Sequence, residues 1–111
     1  MRHCVTTPLE RHRDLDGPFE TEPFECGWAD EALFFVRVQE LIGDNVALSA
    51  AVQISADGVN WIDEGTAFPT ISTQGDFFVR VKHFGGWLRL SGKVEGVEAR
   101  VNVMIHLVLK G

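Results

Sequence analysis

Along most of this chain hydrophobic and polar residues alternate every second position, the period of a strand with one dry face. The clearest case is residues 46–55, where Val46, Leu48, Ala50, Val52 and Ile54 fall on one side and Ala47, Ser49, Ala51, Gln53 and Ser55 on the other. Ala56-Asp57-Gly58 follows as turn chemistry: Asp can bond the backbone ahead of it, and Gly accepts a positive φ without a Cβ clash. A return strand over residues 59–64, holding Trp61, completes a predicted β-hairpin.

The same period recurs on both sides of the hairpin. From Ala32, Phe34, Val36 and Val38 alternate with Phe35, Arg37 and Gln39 in a strand ending near Leu41, and Gly43-Asp44-Asn45 reads as a turn into the 46–55 strand. Residues 65–75 read as a loop. Residues 76–83 form the next strand, with Phe77, Val79 and Val81 on one face and Phe78, Arg80 and Lys82 on the other. Gly85-Gly86 turns it into residues 87–94, with Leu88 and Leu90 inward, Trp87, Arg89 and Ser91 outward, and Gly96 closing the strand. In the last strand, residues 99–110, Val101, Val103, Ile105, Leu107 and Leu109 point inside and Asn102, Met104, His106 and Val108 outside. Short strands, Gly-rich turns and no helical period predict an all-β fold, an antiparallel β-sandwich of jelly-roll-like type.

Residues 1–31 behave differently. They show no sustained period, hold Pro8, Pro18 and Pro23, and carry eight acids against three arginines, so −5 of the chain's net charge of −6 lies there. The stretch reads as an acidic extended arm preceding a sandwich domain over residues 32–111. Phe19, Phe24 and Trp28 within it are candidate anchors, because a solvated tail has little use for three large aromatics. The arm is expected to dock on a sheet surface, that of a neighbouring subunit before its own. A chain of 111 residues can bury one core without metals or disulfides. An acidic balance makes nucleic acid an unsuitable partner, since phosphate binding needs a dense basic surface. No apolar run approaches the ~20 residues that span a bilayer, and the first residues lack a signal-type hydrophobic segment, so a cytoplasmic or virion- or particle-associated protein is expected.

Candidate chemistry is sparse. Cys4 and Cys26, with His3 and His12, lack the spacing of a zinc site, and two thiols in a chain without an export signal are expected to stay reduced. Asp57, Asp63 and Glu64 could gather calcium, but each is accounted for by the turn or by a strand end. His83 and His106 are the candidate bases, and Ser49, Ser55, Ser72 and Ser91 the candidate nucleophiles, without a nucleophile elbow or phosphate-cradling loop. No cofactor is expected. The outward positions say more: Phe35, Arg37, Phe78, Arg80, Lys82, Trp87, Arg89 and Met104 make an aromatic and basic candidate interaction surface if their strands share a sheet.

Ser55-Ala56-Asp57-Gly58-Val59-Asn60-Trp61 resembles the S-x-D-G-x-x-W hairpin of discoidin-type sugar- and lipid-binding domains, and of small β-sandwich proteins associated with phage particles and tails. Gly86-Trp87-Leu88-Arg89-Leu90 is similar to the later strand in which such domains place an aromatic, an apolar residue and Arg, and the terminal VNVMIHLVLKG resembles the closing strand of the phage-type group. The resemblance implies an accessory structural or assembly role, with a homo-oligomer as the partner. The discoidin ligand loops have no residue-by-residue match here, so no binding residue is carried over. The expected function is therefore non-enzymatic self-association. A carbohydrate-binding module, with Trp61, Trp87 or Phe84 stacking on sugar rings, is the alternative, and a small hydrolase the third reading.

Overall fold

A computed structural model describes residues 4–82 and 84–111. The described residues form seven strands: β1 (Cys4–Leu15), β2 (Gly17–Glu20), β3 (Phe24–Glu25), β4 (Glu31–Ser55), β5 (Ile62–Ala67), β6 (Gly75–Lys82) and β7 (Trp87–Lys110). All pairings are antiparallel, and all belong to one continuous sheet. The all-β, sandwich-like fold expected from the alternation is the fold observed.

The sheet is built on β4 and β7, which pair from Glu31↔Lys110 to Ser55↔Trp87. A straight strand of that length would run ~80 Å at about 3.3 Å per residue, yet the longest dimension of the molecule is 46 Å. Both strands therefore bend, and they do so together. Register shifts lie between Val38 and Ala47 on β4. Positive φ values occur at Gly43 (113°) and Asn45 (53°), and across from them at Gly96 (132°) and Glu98 (50°). A Cβ on Gly43 would stand 2.6 Å from the Val97 and Glu98 carbonyl oxygens, and one on Gly96 2.7 Å from the Asp44 oxygen, so only glycine lets the two backbones cross at this corner. Gly43-Asp44-Asn45 and Gly96 thus mark a corner at which the chain changes layer. They are not the hairpin turn and strand end that their composition suggested.

Folding at the corner makes two layers. The first holds β1, residues 101–110 of β7, residues 31–42 of β4, and β6; the second holds β2 and β3, residues 87–95 of β7, residues 47–55 of β4, and β5. Inward positions meet between them: Phe34, Val36, Val38, Val101, Val103, Ile105, Leu107 and Leu109 from the first, Leu48, Ala50, Val52, Leu88, Leu90 and Val94 from the second. Each large side chain so buried contributes ~1.5–3 kcal/mol of hydrophobic stabilisation. The inward and outward faces of the 46–54, 76–82 and 99–110 strands are those the alternation predicts. The return strand begins later than expected, at Ile62 rather than Val59, because the turn after Ser55 takes six residues. Among the described residues no helix is long and apolar enough to cross a membrane.

The acidic stretch is not a separate arm. From Cys4 onward it lies along β7 of its own chain as β1, β2 and β3, and it delivers Leu15, Phe19, Thr21 and Cys26 to the buried interior. Docking on a neighbouring subunit is therefore replaced by docking within the chain, and the division between 1–31 and 32–111 falls inside one core. The physical reason is that β7 needs a partner on its free edge, and the cost of closing a longer loop to supply one from the same chain grows only slowly with its length. Of the three expected anchors, Phe19 is buried, Phe24 is half-buried against the core, and Trp28 is exposed, touching Gly111 at the surface. Removing residues 1–30 is accordingly expected to unfold the domain, with loss of the cooperative thermal transition in circular dichroism. A truncated chain melting as cooperatively as the full one would contradict the role of β1–β3 in the core.

Candidate functional site

The hairpin motif is a hydrogen-bonded turn. Ser55, 3% exposed, accepts at its Oγ from the Gly58 amide (2.8 Å) and the Asp57 amide (3.2 Å), and donates to Asp57 Oδ1 (2.9 Å). Asp57 in turn accepts from the Val59 and Asn60 amides, each at 2.9 Å, and from the Asn60 side chain at 3.1 Å. These bonds to the charged form hold the Asp57 carboxyl far below the usual carboxylate range. Gly58 has φ +78°, and a Cβ there would lie 3.1 Å from the Trp87 ring, so the turn rests on that indole. Ser, Asp, Gly and the later aromatic are thereby explained as one structural unit. Asp63 takes the Gln53 amide (3.1 Å) and Glu64 the Thr66 backbone (2.9 Å), so the three candidate calcium carboxylates serve separate local bonds.

The expected interaction surface divides between two faces. Phe35, Arg37, Phe78, Arg80, Lys82 and Met104 share the outer face of the first layer, whereas Trp87 and Arg89 lie on the outer face of the second. Their strands do share one sheet, but the corner at Gly43 and Gly96 turns its halves to opposite sides of the molecule.

On the second layer, Arg89 is engaged within the chain. It donates from Nε to Gln53 Oε1 (2.8 Å), pairs with Glu20 at Oε2, and lies 4.3 Å over the Trp61 ring. With Gln53 holding Asp63, this network laces β2, β7, β4 and β5 together. Its arginine side chain is only 17% exposed.

On the first layer the outer face is open and more apolar. Phe35 and Phe78 stack with centroids 5.8 Å apart and planes at 28°, and Arg80 lies 5.1 Å over Phe78. Arg37 pairs with Asp76 at 2.7 Å, which raises the arginine's pKa. Beside the stack is a shallow depression of about 440 Å³ bounded by Thr6, Phe35, Arg37, Asp76, Met104, His106 and Val108. Phe35 and Phe78 remain 37% and 48% exposed, whereas the aromatics of the core are closed off. Leu33, His106 and Val108 belong to this face by register, Leu33 opposite Arg80 and Val108, and Phe35 opposite His106. Their strand parity is the signal that assigns them there.

His106 lies on this face, while Ser49 and Ser91 line a depression on the second layer, Ser55 is held in the turn and Ser72 sits on an exposed loop. His106 and the candidate nucleophiles therefore do not come together. His3 and His83 lie outside the described residues. Cys4 is exposed on β1 and Cys26 is buried; both are free thiols. Burial, assisted by the Glu25 charge, pushes the Cys26 thiol up to about 11, and its Sγ points to the Gly85 carbonyl at 3.7 Å. Cys26 is thus a core residue. Among the described residues no three His, Cys, Asp or Glu side chains group as metal ligands.

Neither the protein-family models nor the curated proteins compared with this chain give a match.

Three outcomes follow from the turn and the thiols. Gly58→Val is expected to destabilise the protein by about 1–3 kcal/mol in denaturant titration, from the positive φ and the contact with Trp87. Because the folded Asp57 carboxyl has a depressed pKa, its stabilisation is full above pH ~5 and is lost as pH falls through and below the ordinary value of ~3.9. Asp57→Asn should therefore flatten the acid limb of a stability–pH curve, and an unchanged limb would refute that assignment. In thiol titration at neutral pH, the native protein should present one fast-reacting thiol, abolished by Cys4→Ser, with Cys26 reacting only on unfolding.

Proposed function

We propose that this protein is a non-enzymatic, self-associating structural or assembly protein, of the kind its hairpin and closing strand resemble in phage particles and tails. The observation that carries this reading is the outer face of the first layer. A stacked Phe35–Phe78 pair, flanked by Leu33, Met104 and Val108 and edged by Arg37, Arg80 and Lys82, offers apolar area with cations at its border. Contact surfaces are built this way, with aromatics and Arg over-represented at the centre.

The carbohydrate-binding alternative has less to stand on. Trp61 lies beneath the Arg89 guanidinium, Trp87 carries the Gly58 turn, and Phe84 packs on the core. None of the three is a bare platform for a sugar ring. A hydrolase would need a base and a nucleophile in reach of each other, and the described candidates lie on separate faces.

Light scattering over a range of protein concentrations tests the reading, and a defined oligomer is the expected result. A monomer at every concentration would overturn it, and retardation of that monomer on a polysaccharide column would favour the sugar-binding alternative.

A further inference from the structure

The two layers end in four kinds of edge: β1 and β6 in the first, β5 and the short β2 and β3 in the second. Unpaired edges invite pairing with another chain unless something blocks them. On β1 the block is Pro8 with two register shifts and a positive φ at His12. On β5 it is brevity, Gly65 at φ +113° and two adjacent acids, Asp63 and Glu64, without a basic residue to face them. β2 has four residues including Pro18, and β3 has two. β6 has no proline, register shift or run of like charge: Asp76 stands beside Arg80 and Lys82 on one strand. It pairs with β4 through eight consecutive residues without a shift, from Glu31↔Lys82 to Val38↔Gly75, and its only glycine is its first residue. On its inner side Phe77 and Val79 are only half-buried.

We infer that β6 is the self-association edge, where a second copy of this chain adds its own β6 antiparallel across a two-fold axis, with Phe78 facing the second copy's Phe78. This inference rests on the self-association reading and specifies its geometry. An axis perpendicular to the sheet keeps each face on its own side, so only residues of like parity can oppose one another. In the register named, Asp76 stands opposite the second copy's Arg80, and Arg80 opposite the second copy's Asp76. Phe77 meets Val79 on the inner side, which completes the burial of both. The Phe35–Phe78 stack, 5.8 Å between centroids, continues over the junction as a row of four rings. Cross-strand pairs of opposite charge and of aromatics are the pairs that stabilise antiparallel sheets, and like charges in those places oppose pairing. Moving one copy four residues along toward its carboxyl end would set Arg80 against Arg80, and four the other way would set Asp76 against Asp76. The charges of β6 are therefore arranged to accept its own copy in a narrow range of registers.

The test is charge reversal with restoration, read as solution mass by analytical ultracentrifugation, on full-length chains whose thermal melts show them folded. Asp76→Arg alone and Arg80→Asp alone should each weaken the dimer by about tenfold or more, and the double variant should restore it, because the pair is exchanged intact. Arg80→Asp leaves the Arg37–Asp76 pair in place, so its effect does not pass through that contact. Independently, Phe78→Cys in a Cys4→Ser background should form a disulfide-linked dimer on oxidation. A wild-type monomer would overturn this inference together with the association reading. A wild-type oligomer indifferent to both single reversals and not cross-linked through Phe78→Cys would overturn the edge alone and leave association through the broad face. Cross-linking through Val79→Cys instead, without restoration in the double variant, would overturn the register.

Discussion

The ladder between β4 and β7 is the constraint on which everything else hangs. Every other strand pairs with one of these two: β1, β2 and β3 with β7, β5 and β6 with β4. Their shared bend converts one long ribbon into both layers of the sandwich, so the layers are joined through continuous backbone as well as through packing. That arrangement demands a corner at which two chains cross closely, and Gly43 and Gly96 supply it by lacking a Cβ where neighbouring carbonyl oxygens stand within 3 Å. Asn45 takes the left-handed conformation that asparagine tolerates, while Glu98 takes it at greater steric cost. A substitution at either glycine would act on both layers at once.

The acidic amino-terminal segment is held by specific partners in the body rather than by a diffuse field. Glu20 meets Arg89, Glu10 meets Arg13 within β1, and Asp14 receives the Asn102 amide at 2.9 Å. The Arg37 pair is exposed and worth little by itself, and the Arg13 pair is half-buried. The Arg89 cluster differs, since its guanidinium is largely shielded and holds an amide, a carboxylate and an indole together. It finishes the outer face of the second layer as a closed polar network. On the first layer Gln39 bridges His12 and Met104, and Asn102 holds Asp14, but the aromatic stack and basic rim stay open to solvent, and the β6 edge is regular. The asymmetry between the two faces is what points the proposed self-association to the first layer.

Much of this was legible in the alternation of residues. Phe34, Val36 and Val38, then Val101 through Leu109 at every second position, point inward because a strand presents successive side chains to opposite faces whatever it is paired with. The Ser55-Ala56-Asp57-Gly58 turn was legible for a similar reason: its hydrogen bonds are local, and the residues that make them are adjacent. On the outward side, parity alone assigned Phe35, Phe78 and Met104 correctly to solvent. What parity does not contain is which strands lie side by side, and so it joined Trp87 and Arg89 to a surface they do not share.

The tertiary structure decided the remainder. Gly43-Asp44-Asn45 has the composition of a hairpin turn, and whether such a segment reverses the chain or carries it over a corner depends on what runs beside it, here residues 95–98 of β7. Residues 1–31 lack a strand period because Pro8, the bulges near His12 and the breaks at Asp16 and Thr21 interrupt it. Residues 4–15, 17–20 and 24–25 become strands because β7 presents unsatisfied backbone groups along their length. Sequence by itself determined the side each residue faces, since that follows from backbone geometry one residue at a time. Only the folded chain decided which faces coincide and which edges remain free, because those follow from contacts between residues far apart along it.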